Sequence, residues 1–293
     1  MASLTQIPGR YEKCNWTPAA RGVKVASEPS PESFPSEQIP AFSDEQEDLR
    51  RAIYEAAQAQ RRLCGPRRNR FVEYELASEI FPVRHLSGDF ITWFEAEGDL
   101  LFAIGDIAGK GLMAGMWFTY LVGLIRRHMA ALADPAAAVS AVDHDLALAG
   151  MEVPLTTLFV GRLNLRRGEL TYSNAGHPAA LLVHEGEIAE LGVGGPVLGV
   201  ISDASYMNGH ALVSAGDTLV AYSDGILESR NEQGVEFGTE ALLEAVRRTS
   251  GAKPDSMLFS LLATLEAFLG SQHREDDLAL LVVQRFKASN TYA

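Results

Sequence analysis

Cysteine is scarce, with only Cys14 and Cys64 in 293 residues. Two thiols make neither a zinc-binding spacing nor a disulfide framework, and their scarcity fits a reducing cytoplasm. Positive charge is in deficit. Lysine and arginine number 25 against 38 aspartates and glutamates, a net charge of −13. A phosphate-backbone partner would work against that field, so no nucleic-acid binding is expected. Long apolar runs are missing as well. The longest, Met113 to Ile125, is interrupted by Thr119 and Gly123 and ends at Arg126-Arg127. A membrane span needs about 20 apolar residues. The first residues show no apolar core of a signal peptide. These deficits lead to the expectation of a cytoplasmic protein with no membrane partner.

Residues 1–42 are rich in Pro, Ser and Glu without periodicity, and read as a disordered acidic tail. Residues 43–66 read as a linker or regulatory helix. Ser43 and Gln46 match a capping box. Leu49, Ile53, Ala56, Gln60 and Leu63 follow at alternating spacings of four and three, the 3.5-residue seam of a short coiled coil. Two heptads do not hold themselves together in water. The Ser43–Leu63 helix therefore needs a partner: its own domain, an activator, or a second copy in a homodimer. Gly65-Pro66 ends it.

Residues 71–287 read as one folded domain, and 288–293 as a short tail. Strand-like segments are 74–81, 89–94, 100–105, 156–165, 169–173, 180–183, 218–222 and 278–283. Helical spacing links Met113, Met116, Trp117, Tyr120, Leu121, Leu124, Ile125 and His128. Asp134-Pro135 is an N-cap followed by proline at the first helical position. Two further helices are expected near 239–249 and 254–269, before Gly251 and Gly270. Runs of strands with pairs of helices between them are not β-α-β alternation. The expected class is α+β, with two packed, mainly antiparallel sheets flanked by helices.

Four segments place carboxylates beside glycines or one another at predicted strand ends: Ser87-Gly88-Asp89, Gly105 to Gly111, Ser223-Asp224-Gly225 and Glu275-Asp276-Asp277. Carboxylate oxygens are the ligands that Mg²⁺ and Mn²⁺ prefer. Asp-Gly is also a common turn, so each segment alone says little. Gly105 to Gly111 is one residue short of a phosphate-binding P-loop and lacks its hydroxyl, which argues against a nucleotide hydrolase.

Six motifs occur together in order. They are Leu86-Ser87-Gly88-Asp89, Ile104 to Gly111, Asn174-Ala175-Gly176-His177-Pro178, Tyr222 to Glu228, Phe237-Gly238 and Asp276 to Val282. In this the chain resembles the PPM metal-dependent Ser/Thr protein phosphatases, and most closely their bacterial SpoIIE and RsbU branch, over about residues 45–286. The resemblance implies a four-layer α-β-β-α sandwich and two Mn²⁺ or Mg²⁺ ions. It implies that Asp106 bridges the ions that activate water, that the Ile107 carbonyl joins one of them, and that Asp89, Asp224 and Asp276 complete the set. Asp277 is the less favoured choice for the last position. His177 and Lys110 are candidates for the rim and substrate contacts. The implied substrate is a phosphoserine or phosphothreonine on a regulatory protein, typically a STAS-domain anti-sigma-factor antagonist. Ser87, Ile91-Thr92 and Ala279 depart from the branch's usual residues, and Ala108 stands where eukaryotic relatives carry a general-acid histidine. None removes a proposed ligand. The rival reading is a non-catalytic binding module with the same fold, which the filled aspartate positions disfavour.

Overall fold

The computed structural model describes residues 44–109, 111–149, 153–201 and 204–286. The expected tails, the Ser43–Gln46 cap and Lys110 lie outside the described residues or side chains. Residues 43–293 cluster as one unit.

In chain order the elements are α1 (Asp44–Leu63), β1 (Arg68–Arg70), β2 (Tyr74–Phe81), β3 (Phe90–Ala96), β4 (Asp99–Ile107), α2 (Leu112–Ala131) and α3 (Pro135–Leu148). There follow β5 (Thr156–Asn164), β6 (Glu169–Ala175), β7 (Ala180–His184), β8 (Glu187–Leu191), β9 (Gly194–Gly195), β10 (Gly209–Leu212) and β11 (Thr218–Tyr222). A 3-10 turn (Asp224–Ile226), α4 (Gly238–Arg248), α5 (Pro254–Leu269) and β12 (Leu278–Arg285) complete them. One sheet runs β1-β2-β12-β11-β7-β8. The other runs β10-β6-β5-β4-β3, with β9 added in parallel to β6.

Why two sheets stack between two helical layers is written in β12. Its side chains alternate in direction, yet nearly all are apolar. Ala279, Leu281 and Val283 enter the core between the sheets with Tyr74, Trp93, Phe102 and Phe159. Leu278, Leu280 and Val282 face α4 and α5, against Leu242, Leu258, Leu261 and Leu265. Strand β4 does the same on the other sheet. Leu100, Phe102 and Ile104 point inward, while Leu101 and Ala103 meet Phe118, Val122 and Ile125 of α2 and Val139 and Val142 of α3. A strand buried on both faces requires a layer on each side, which gives the expected α-β-β-α sandwich.

The Asp134 cap forms as expected, its carboxylate accepting from Ala137 N at 3.0 Å. The inner face of α2 is rotated from the expected stripe. Ala114, Trp117, Phe118, Leu121, Val122, Ile125 and Met129 are buried, whereas Met113 and Met116 are exposed. In α1, Ala57 and Gln60 are buried and Ile53 and Ala56 half-buried, but Leu49 and Leu63 are exposed, so only the middle of the seam meets the domain. Among the described residues, no helix is long and apolar enough to cross a membrane.

Candidate metal centre

The carboxylates gather where strand ends of both sheets meet. Asp89 directly precedes β3 and Asp106 is the penultimate residue of β4, both in one sheet. Asp224 opens the 3-10 turn after β11, and Asp276 and Asp277 precede β12, both in the other. Two close approaches of glycine make this possible. A Cβ on Gly88 would stand 2.7 Å from the Ile107 carbonyl oxygen and 3.1 Å from Asp106 Oδ1. A Cβ on Gly225 would collide with the carbonyl oxygen of Asp277. Only a residue without a side chain lets these loops close on one another.

The like charges are felt strongly. Burial pushes the Asp89 carboxyl well above its ordinary range, and Asp106, Asp277 and Asp224 push it further, against a hydrogen bond from Ser223. Asp106 is raised to about 6, first by burial, then by Asp224 and Asp276. It is held down in part by a hydrogen bond with Asp89. Among the described residues, the charged groups acting most on either are other carboxylates. Buried like charges of this kind favour the protonated form of one of the pair. As the side chains stand, no three His, Cys, Asp or Glu among the described residues form a ready metal-binding group. The donor set nevertheless fits a hard divalent cation: several carboxylates on one end of the fold, with repulsion that such a cation would offset.

The two adjacent aspartates differ. Asp277 is buried and fully engaged. Its Oδ1 accepts from Val83 N at 2.7 Å, and its Oδ2 accepts from Ser87 Oγ at 3.0 Å and Gly88 N at 2.9 Å. It holds both ends of the 83–88 loop that leads to Asp89. Asp276 accepts from the adjacent Asp277 N at 2.9 Å and is the more accessible of the two.

Sequence reasoning missed two supports of this centre. Ser223, fully buried, donates from Oγ to Asp89 Oδ2 at 2.6 Å and accepts from Ala279 N at 2.8 Å, joining the two sheets. Thr157 Oγ1 accepts from Asp106 N at 3.2 Å. A serine beside Asp224 was a legible signal for the first; nothing local marks the second. The expectation that His177 lines the rim gives way: it is 6% exposed. Asn174 closes its loop, accepting from His177 N at 2.7 Å and donating to His177 O at 2.9 Å. Cys64 is no nucleophile, since burial pushes its thiol up to about 11.

A double antiparallel sandwich with carboxylates gathered at one end is the architecture of PPM, or PP2C-type, protein Ser/Thr phosphatases. Among solved structures, the SiaA-PP2C domain of Pseudomonas aeruginosa superposes with TM-score 0.72 at 20% identity, covering 84% of this chain and 100% of that one. The RsbU and RsbW domains of Rv1364c from Mycobacterium tuberculosis align with TM-score 0.63 at 26% identity, covering 73% and 60%. Phosphoserine phosphatase RsbU of Bacillus subtilis (strain 168) is 25% identical over 248 residues, 82% of this chain and 72% of that protein. Residues 96–286 match the model for Stage II sporulation protein E (SpoIIE). The chain belongs to the SpoIIE family, and is a protein phosphatase of the RsbU-like branch.

Proposed function

We propose that this protein hydrolyses a phosphoserine or phosphothreonine on a regulatory protein, with two Mn²⁺ or Mg²⁺ ions held by Asp89, Asp106, Asp224, Asp276 and the Ile107 carbonyl. The observation that carries this reading is the meeting of Asp89 and Asp106 from one sheet with Asp224 and Asp276 from the other, in one mutually repelling cluster. When bound, divalent ions would supply a water of lowered pKa and positive charge for the phosphoryl oxygens. The chain's own part is to hold its carboxylates in place. Ser223 orients Asp89, Thr157 orients the backbone of Asp106, and Asp277 fixes the loop between β2 and β3. Asp277 is already used in this way, which supports Asp276 as the ligand. The attacking group in this reading is a water, so it contains no covalent enzyme intermediate.

The substrate reading rests on kinship. RsbU is a phosphoserine phosphatase, and in Rv1364c an RsbU domain shares a chain with an RsbW domain. A STAS-type antagonist in a partner-switching circuit is the substrate class that fits. The test is release of phosphate from a phosphorylated STAS protein, with p-nitrophenyl phosphate as control. Turnover should require added Mn²⁺ or Mg²⁺ and vanish in Asp106→Asn. Full activity in excess EDTA would sink the reading.

A further inference from the structure

His177 occupies a place that its loop alone does not explain. It follows β6, in the same sheet as β4 and β5, yet the backbone acting on its ring is that of Tyr222, the last residue of β11 in the opposite sheet. Its Nδ1 lies 2.8 Å from Thr157 Oγ1. That oxygen is the acceptor for Asp106 N at 3.2 Å, and Thr157 is the register partner of Asp106 across β4 and β5. Nε2 is buried and makes no hydrogen bond of regular geometry among the described residues.

The Thr157 oxygen accepts from the Asp106 amide and shares a hydrogen bond with His177 Nδ1, so one hydroxyl joins the Asp106 backbone to the imidazole. The Tyr222 backbone acts on the ring in the opposite sense to burial. Burial holds the imidazole down to about 3, so the ring stays neutral near pH 7. The two ends of the chain of contacts adjoin different parts of the acidic cluster. Thr157 leads to Asp106. Tyr222 leads to Ser223, which holds Asp89, and to Asp224.

We propose that His177 is a positioning residue: a buried imidazole that orients the Thr157 hydroxyl onto the Asp106 backbone and, lying against Tyr222, keeps the ligand-bearing strand ends of the two sheets in register. It acts through other residues and does not touch substrate. The inference rests on the metal-centre reading above and extends it to the residues behind the ligands.

The experiment measures Mn²⁺ binding by electron paramagnetic resonance in the absence of substrate, beside a thermal melt. Thr157→Val keeps the shape and removes the hydroxyl. It should weaken Mn²⁺ binding about 10- to 100-fold, the range for loss of a partner that orients a ligand, while the protein remains folded. Thr157→Ser should restore binding close to wild type. His177→Phe should weaken binding like Thr157→Val, and the double variant should be no worse than the weaker single, because both cut one chain of contacts. Wild-type affinity in Thr157→Val, failure of Thr157→Ser to rescue, or losses that multiply in the double variant would each overturn the proposal. If His177→Phe does not fold, the Thr157 pair still decides. Wild-type protein that binds no Mn²⁺ would remove the metal reading itself, a different result from wild-type binding that the variants leave untouched.

Discussion

Gln60 of α1 and Ser87 hold each other by two hydrogen bonds. The Gln60 amide donates to Ser87 O at 2.8 Å, and Ser87 N donates to Gln60 Oε1 at 3.1 Å. Both residues are buried. The pair seats the helix on the loop that Asp277 grips from the other side, one residue before the Gly88-Asp89 step. Truncation as Gln60→Ala would leave a buried donor and acceptor unpaired, a cost of about 1–3 kcal/mol. We expect a lower melting temperature together with weaker Mn²⁺ binding. A variant that melts lower but binds Mn²⁺ unchanged would show that the pair seats the helix without reaching the metal ligands.

Asp276 and Asp277 should separate cleanly. In Asp277→Asn the side chain would offer an amide where it now accepts three hydrogen bonds, two of them from backbone N–H groups. Hydrogen bonds to a charged group contribute about 1.5–3 kcal/mol each, so a large drop in thermal stability is expected even without metal. Asp276→Asn should lower the metal-free melt far less than Asp277→Asn and should weaken Mn²⁺ binding. Manganese titration and calorimetry on both variants check this, and the reverse pattern would make Asp277 the ligand.

Metal-free protein should lose stability as pH rises. The Asp106 carboxyl is raised to about 6 in the fold from 3.8. A raised carboxyl favours folding in its neutral form, so its contribution is complete below the unfolded value and is lost as pH climbs through about 6. Asp89, raised in the same direction, adds to the loss. Asp106→Asn removes the charge. Without metal it should melt above wild type at pH 7.5, and that advantage should disappear by pH 4. Saturating Mn²⁺ should reverse the order at pH 7.5, because only wild type gains from binding. Melting curves at both pH values, with EDTA and with Mn²⁺, test the sign.

Much of this was legible because the determining signals are local. β2, β11 and α5 have the expected bounds, since their apolar pattern is dense and their ends carry turn residues or proline. β1, β8, β9 and β10 were not expected. β1 is Arg-Asn-Arg and β8 is mostly exposed, so these edge strands owe their pairing to a neighbour rather than to their own composition. On α2 the exposed Met113 and Met116 continue the three-and-four spacing of the buried Trp117 and Leu121, and hydrophobicity alone does not fix the rotation. The aspartates could be singled out from short motifs. Ser223 stood beside Asp224 in one of them, but the parts played by Gln60, Thr157 and the clamp by Asp277 could not be read there, because each acts across 27 to 194 residues of sequence. Such contacts are set by which strand ends the fold brings together.

The remaining prediction concerns the free part of α1. Its C-terminal half is anchored by Ala57 and by the Gln60–Ser87 pair, but Leu49 is 61% and Tyr54 62% exposed. A helix this short gains most of its stability from a packed face, and the first turns lack one among the described residues. A second copy pairing through this segment would supply it. We expect Leu49→Asp to lower the sedimentation mass of the protein and to change its Mn²⁺ dependence, because a charge in a buried seam is costly. Its melting temperature should hold once dilution has already separated the copies, since Leu49 lies away from the domain core. Ile53→Asp should do both, lowering the mass and the melting temperature, because Ile53 is half-buried against the domain. If wild type sediments as a single copy at every concentration and Leu49→Asp behaves identically, the helix does not pair. The exposed residues would then be left for an activating protein, to be sought by the same substitution in a binding assay.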